Sequence, residues 1–208
     1  MLLAFSLFNA MATHAQKMVP SSKSAAGFSF SATASGDVDK PVQPVIIYQQ
    51  NISMLSGIAD RPSMHVFGDG RVEVHHPAYM KTSGDYVMQL TEAELVDLIQ
   101  SLSENGVLDF DEDKVKTNIR SKKKELRKSG QLYAVSDVVE TVIEVRLDDY
   151  QKNNSAKRKK DFHKRFQWKN IEHDARRFKQ QREIVDANQS AQSLKGLMKD
   201  KRLAKQGR

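Results

Sequence analysis

Three histidines carry the side chains in this chain best suited to bind a transition metal. His75 and His76 are adjacent, and His65 and Asp69 lie a few residues earlier. Imidazole nitrogens together with a carboxylate bind zinc or copper. Neighbouring residues on a strand point to opposite faces, so His75 and His76 cannot enter one site without a bulge. The alternative, which we favour, is ordinary hairpin histidines. His65, His75 and His76 are therefore only weak metal ligands, and the sequence points to no cofactor.

The sequence carries few other residue patterns that are typical of a catalytic site. The chain has no cysteine, which excludes disulfides, thiolate zinc sites and a cysteine nucleophile. No Gly-x-Ser-x-Gly turn is present. The carboxylates of Asp109, Asp111, Glu112 and Asp113 could serve a glycosidase or bind calcium, but the spacing lacks the glycine and terminal glutamate of a calcium loop. Their simpler interpretation is that they favour the positive end of a following helix dipole.

The basic clusters are better candidates for a binding function. Two groups of cations occur, the second interleaved with Phe162, Phe166 and Trp168. Basic residues contact phosphates, and exposed aromatic rings stack on bases. These aromatic residues share one face of a predicted strand, however, so we expect them in the core with only the charges outside. The predicted polyanion-binding residues are Lys122, Lys123, Lys124, Arg127 and Lys128, and then Lys157, Arg158, Lys159, Lys160, Lys164 and Arg165.

Charge is divided unevenly along the chain. Residues 1–113 hold 6 Lys or Arg and 14 Asp or Glu, whereas residues 114–208 hold 27 and 12. The formal net charge is +7. Charge runs usually serve solubility, so one interpretation is a solvated basic surface near an acidic one. The functional interpretation is a footprint for a polyanion.

Strands are predicted first along the chain. An apolar run at 45–48 is typical of a buried strand, and residues 63–66 and 72–76 flank a turn of Asp and Gly that favours a hairpin. A further strand is expected at 86–90. Alternation at 139–147 and at 162–168 predicts two more strands, separated by a polar basic loop at 151–160.

Helices are predicted between and after these strands. Thr91 and Glu94 form a capping box, and Asn105 with Gly106 ends that helix. Asp111 or Asp113 caps a second helix that runs to about residue 128. Asn170 is expected to cap one long last helix reaching Met198, followed by a frayed basic tail at 199–208. Strands and helices that segregate predict an α+β domain at 41–198, with an antiparallel or mixed sheet and helices packed on one face.

The first fifteen residues read as an export signal. An apolar run from Leu2 to Ala12 is followed by Thr13 and Ala15, the small residues that a signal peptidase requires. The run is too short to span a bilayer, and no second transmembrane segment is expected. An organellar transit segment and a buried terminal helix are the alternatives. Residues 16–40, rich in Ser, Ala and Gly, predict a flexible lead.

The hairpin region carries the motif GDGRVxVxxPxYMK, which begins at Gly68 and ends at Lys81. This motif resembles that of a family of exported bacterial proteins of uncharacterised activity. The similarity runs from about residue 43 to residue 198. It implies a periplasmic location in Gram-negative bacteria and no known activity, so no catalytic residue is carried over. The matching residues are the 66–74 stretch, Pro77, Tyr79, Met80, Lys81, Gly84, Asp85, Tyr86, Leu90, Glu94 and Leu95.

Three functions of different class are compatible with these observations. The favoured one is a periplasmic or secreted non-enzymatic domain whose basic surface binds an anionic envelope component or a protein partner. The second is an enzyme with an unrecognised site, expected if Tyr79, Asp85 and His75 converge in a deep pocket. The third is an intracellular nucleic-acid binder, which requires an uncleaved N-terminus, since nucleic acid is not expected as the partner of an exported protein.

Overall fold

The fold is an antiparallel sheet with helices, seen here in a computed structural model that describes residues 27–31, 43–52, 60–131 and 138–207. Eight strands and four helices occur in these ranges, which confirms the predicted α+β class. The strands are β1 (Gly27–Ser29), β2 (Ile46–Ile52), β3 (Ser63–Val66), β4 (Arg71–His76), β5 (Gly84–Gln89), β6 (Val139–Gln151), β7 (Lys159–Lys169) and β8 (Ala204–Lys205). The helices are α1 (Glu92–Glu104), α2 (Glu112–Lys128), α3 (Ile171–Arg177) and α4 (Arg182–Leu197).

The long strand β6 organises the sheet. One of its edges pairs with β7 along almost its whole length, and the other pairs with β2 and then with β1. From β2 the sheet continues through β3, β4 and β5 to β8, and every pairing is antiparallel. Within the described ranges, β1, β7 and β8 each pair with one strand and are therefore the edge strands.

The core lies on one face of this sheet. Cross-strand register aligns Tyr48 with Ile143 and Met64, and aligns Ile143 with Phe166, and all four side chains are buried. Buried residues of α1, α2, α3 and α4 join the same apolar cluster. Alternate strand residues point the other way and form what we call the open face, which carries no helix among the described residues.

The predicted capping signals of α1 and α2 are confirmed. Thr91 accepts the N–H of Glu94, and the Glu94 carboxylate accepts the N–H of Thr91, so two orphan amides are satisfied. Asp111 caps α2 by accepting the N–H of Lys114. No helix in the described ranges is long and apolar enough to cross a membrane.

The prediction of one long last helix is wrong, because this segment forms two helices, α3 and α4. The apolar stripe loses its period between Phe178 and Ile184, where polar residues occupy the intervening turn, and the chain leaves the helical conformation at Phe178. Asn170 does not cap α3 with its side chain. Its backbone is left-handed, with φ 57°, and its side-chain oxygen accepts the N–H of Val139 instead.

The predicted boundaries also differ at both ends of the domain. Part of the expected flexible lead is β1, which pairs with the end of β6 and whose Ser29 hydroxyl donates to Asp149 at 2.6 Å. Part of the expected tail is β8, which pairs with β5. The expected 151–160 loop is shorter, since Gln151 belongs to β6, and Lys159 and Lys160 belong to β7. The signal-like residues 1–15 lie outside the described ranges.

Candidate anion-binding surface

The two predicted basic clusters lie at opposite ends of β7. Residues 157–160 lead into this strand, whereas Lys123 of α2 forms an ion pair with Asp174 of α3, beyond the end of the strand. At roughly 3.3 Å per residue, the ten steps from Lys159 to Lys169 span about 33 Å. A compact anion therefore contacts one cluster or the other, and an extended anion can contact both.

The aromatic residues of β7 are buried, as predicted. Phe162, Phe166 and Trp168 have exposed fractions of 7%, 0% and 4%, and Phe166 packs edge-to-face on Phe110 with ring centroids 4.9 Å apart. The Trp168 indole N–H donates to the buried carboxylate of Asp174 at 3.0 Å. These rings therefore offer no face for stacking on a nucleic-acid base.

Four of the predicted cations already have partners. Lys123 pairs with Asp174, and Arg158 pairs with Asp149. Lys164 donates to the carbonyl oxygen of Phe110 at 2.6 Å, and Arg165 pairs with Glu144. The others form no ion pair with another described residue, and they are Lys122, Lys124, Arg127, Lys128, Lys157, Lys159 and Lys160.

A groove between α2 and the end of β7 adds cations that the runs of basic residues did not indicate. Lys116, Arg120 and Lys123 follow one another at helical spacing along α2, and Lys169 faces them from β7. The groove has a volume of about 570 Å³, and its wall also includes Trp168 and the carboxylates of Glu112, Glu140 and Asp174. The start of α2 is held there because Glu112 accepts the main-chain N–H of Gln167 at 2.9 Å.

These cations lie along α2, beside the groove and at both ends of β7. On the open face Arg165, Gln167 and Lys169 are alternate residues of β7, so their side chains follow one another toward the groove and α2. We call this surface the basic band. Its members are Lys116, Arg120, Lys122, Lys124, Arg127, Lys128, Lys157, Lys159, Lys160, Arg165 and Lys169.

Glu144 stands on the open face with three basic side chains around it. Its side chain is 12% exposed, and it contacts Arg165, Arg146 Nη2 at 3.1 Å and His163 Nε2 at 3.4 Å. Register explains the convergence, because Glu144 lies opposite Arg165, and Arg146 lies opposite His163. A single buried carboxylate thus holds two guanidinium groups and an imidazole at the middle of β7.

His75 lies on the open face at the opposite side of the sheet, between two carboxylates. Its Nδ1 is 2.6 Å from Asp85 Oδ1, and its Nε2 is 2.5 Å from Asp60 Oδ1. A cavity of about 610 Å³ opens beside this group. His75 and Asp85 therefore converge as the enzyme hypothesis requires, whereas Tyr79 is 43% exposed and does not line the cavity. Both ring nitrogens of His75 have carboxylate partners in this arrangement.

The contacts of His75 with Asp85 and Asp60 make the free energy of unfolding depend on pH. Hydrogen bonds that His75 donates to Asp85 and then to Asp60 raise the pKa of His75 above its ordinary value of 6.5, although burial opposes them. A folded-state pKa above the unfolded value means that this contribution is complete below that ordinary value and is lost as pH rises through the raised pKa. We expect the unfolding midpoint in urea to fall more for wild type than for His75→Gln between about pH 6 and about pH 9. An equal fall in both proteins would contradict this role.

The other two histidines do not complete a metal site with His75. His76 is buried on the core face, where its Nε2 lies 3.2 Å from the carbonyl oxygen of Met198. His65 is half-buried and pairs in register with Glu73. In the part of the chain that the structure describes, no group of three or more His, Cys, Asp or Glu residues has the arrangement of a metal site.

Comparison of this chain with known proteins identified no relative. No protein-family model, no curated protein and no solved structure matches the chain. The resemblance of the hairpin motif to an exported family therefore stays a prediction, and functional argument rests on the side chains themselves.

The acidic cluster before α2 serves the fold. Asp111 caps the helix, and Glu112 accepts both the Gln167 N–H and the Lys116 ammonium group. Asp109 accepts the hydroxyl of buried Tyr150 at 2.7 Å, and burial together with this carboxylate raises the pKa of Tyr150 to about 12. These partners leave the cluster with structural roles.

Proposed function

We propose that this protein is an exported, non-enzymatic domain that binds a polyanion of the cell envelope through the basic band. Anionic lipid headgroups and phosphorylated glycolipids have the required chemistry. The signal-like composition of residues 1–15 and the motif that resembles an exported family support the compartment. The accessible cations of α2 and β7 support the ligand class.

The observation that carries the proposal is a set of cations, on both sides of the groove, that form no ion pair with a described residue. Lys122, Lys124, Arg127 and Lys128 form no ion pair with a described residue, and neither do Arg120 and Lys169. The helix dipole accounts for Arg127 and Lys128 in the last turn of α2, but not for Arg120 or for Lys169 on the strand. A surface of this kind gains binding free energy by releasing the counterions of a polyanion.

A salt titration tests the ligand class. With heparin as the probe, we expect log Kd to rise linearly with log salt concentration, with a slope that corresponds to roughly four to eight contacts. Binding to vesicles should require an anionic lipid such as phosphatidylglycerol. Heparin binding that is absent at low salt, or that is insensitive to salt, would contradict the proposal.

The compartment has its own test. After expression of the full chain in a Gram-negative host, we expect a periplasmic species that begins at Gln16, measured by fractionation and intact mass. A full-length cytoplasmic product would overturn the export part of the proposal and would favour a nucleic-acid partner for the same basic band.

A further inference from the structure

We propose that Arg146, Arg165 and His163 form a discrete site for a phosphate group on the open face of the β6–β7 hairpin. This inference extends the proposed function, because it assigns one specific anion contact within a surface that otherwise acts through net charge. The site uses Arg146, which lies outside both runs of basic residues, and His163, which was not among the predicted polyanion-binding residues.

The pairing of β6 with β7 brings the three basic side chains and Glu144 together. The antiparallel register places Glu144 opposite Arg165 and, two residues further along β6, Arg146 opposite His163. Side chains at i and i+2 of one strand share a face, so all four side chains stand together on the open face. A nitrogen of each basic side chain lies within 3.4 Å of the Glu144 carboxylate.

The guanidinium groups of Arg146 and Arg165 keep hydrogen-bond donors that no described residue uses. A guanidinium group carries five N–H donors. Arg146 donates to Glu144, and to Gln43 at 3.4 Å; Arg165 donates to Glu144, and to Gln167 at 3.4 Å. More than half of the donors of the two groups therefore have no partner among the described residues. The side chains of Arg146, Arg165 and His163 are 37%, 48% and 51% exposed, so a solute can reach them.

Glu144 explains how two like charges are kept together. Two guanidinium groups beside one carboxylate repel each other, and the carboxylate that both of them contact offsets that repulsion while leaving a net positive charge. Because Glu144 is largely buried, it fixes the arginine positions before any ligand arrives. A preorganised pair of planar forks suits the several oxygens of a phosphate group better than it suits a single-oxygen ligand.

The neighbouring side chains limit the size of the ligand. Asp148 and Asp161 lie on the next step of the hairpin toward residues 157–160, and both are exposed. On the other side, Gln167 and Val142 carry no charge, and Lys169 follows them. Beyond Val142 stands Glu140, which lies opposite Lys169, so carboxylates flank the site on both sides and it suits a single compact phosphate group.

The test uses inorganic phosphate and the full chain. We expect saturable shifts of the Nε–H signals of Arg146 and Arg165 and of the ring signals of His163 in NMR spectra. Arg165→Lys keeps the charge opposite Glu144 but loses the fork, and it should weaken phosphate binding by about fivefold or more. The matched control is Arg202→Lys, which lies outside the predicted binding residues and whose arginine pairs with Glu94 and Asp200; its affinity for phosphate should stay within about twofold of wild type.

The outcomes separate this site from the proposed function. Arginine signals that do not move at high phosphate, or Arg165→Lys binding equal to wild type, would overturn the site even if heparin still binds. Site-dependent phosphate binding without heparin binding would support the site and overturn the wider proposal. Vesicles with phosphatidic acid test a lipid source, since binding that Arg165→Lys weakens there identifies the headgroup phosphate as a ligand.

Discussion

Replacing Lys122, Lys124, Arg127 and Lys128 by glutamine is expected to weaken heparin binding by about 100-fold or more at low salt. None of the four forms an ion pair with a described residue, so the substitutions remove charge and break no internal contact of that kind. Lys123 is kept, because it pairs with the buried carboxylate of Asp174. The slope of log Kd against log salt should fall by roughly three contacts.

The control for this variant removes the same charge elsewhere. Lys81, Lys195, Lys199 and Lys201 lie outside the basic band and form no ion pair with a described residue. Their glutamine variant should bind heparin within about fivefold of wild type, since distant surface charges are largely screened. Equal losses in the two variants would show that net charge alone, and not the position of α2, governs binding.

Replacing Phe166 by alanine is expected to lower the free energy of unfolding by about 3–5 kcal/mol. The ring is fully buried, packs edge-to-face on Phe110 and lies in register with Ile143 of β6. Removing it leaves a cavity where β7, β6 and the loop before α2 meet. Urea unfolding measures the loss. An unchanged slope of the free energy of unfolding against urea concentration shows that the variant exposes as much surface on unfolding as wild type.

The same variant distinguishes a core ring from a stacking ring. In the fraction that stays folded, heparin affinity should remain within about twofold of wild type, because Phe166 presents no accessible face. Single-stranded nucleic acid should likewise show no loss specific to this variant. A stability change below about 1 kcal/mol together with a large loss of nucleic-acid binding would contradict the assignment of Phe166 to the core.

Local signals in the sequence predicted most of the fold. The Asp69–Gly70 turn, the Thr91 capping box and the period of two in β6 and β7 each depend on near neighbours, and the structure confirms them. At Gly70, where φ is 85°, a β-carbon would lie 2.3 Å from the carbonyl oxygen of Leu90, so only glycine fits that turn.

Tertiary pairing decided what the sequence could not indicate. β1 and β8 are short segments whose strand conformation comes from the edges of β6 and β5, not from an apolar pattern of their own. The split between α3 and α4 has no proline or glycine to mark it. A gap in the apolar stripe after Phe178 was the one signal available.

Only part of the candidate site could be predicted from the sequence, because tertiary pairing brings the rest together. The runs at 122–128 and 157–165 stand out in the sequence, but Arg146, His163 and Glu144 meet only because of the register between β6 and β7. Lys116 and Arg120 are single cations in the sequence and become neighbours on one side of α2. Register and helix face, rather than composition, assemble the basic band.

Mapping lysine reactivity with and without heparin tests the central claim most directly. In the full chain at low salt, an amine-reactive reagent followed by mass spectrometry should show strong protection at Lys122, Lys124, Lys128 and Lys169. Lys81, Lys195, Lys199 and Lys201 should react equally in both conditions. Uniform protection of both sets, or protection confined to the second set, would contradict a polyanion-binding role for the basic band.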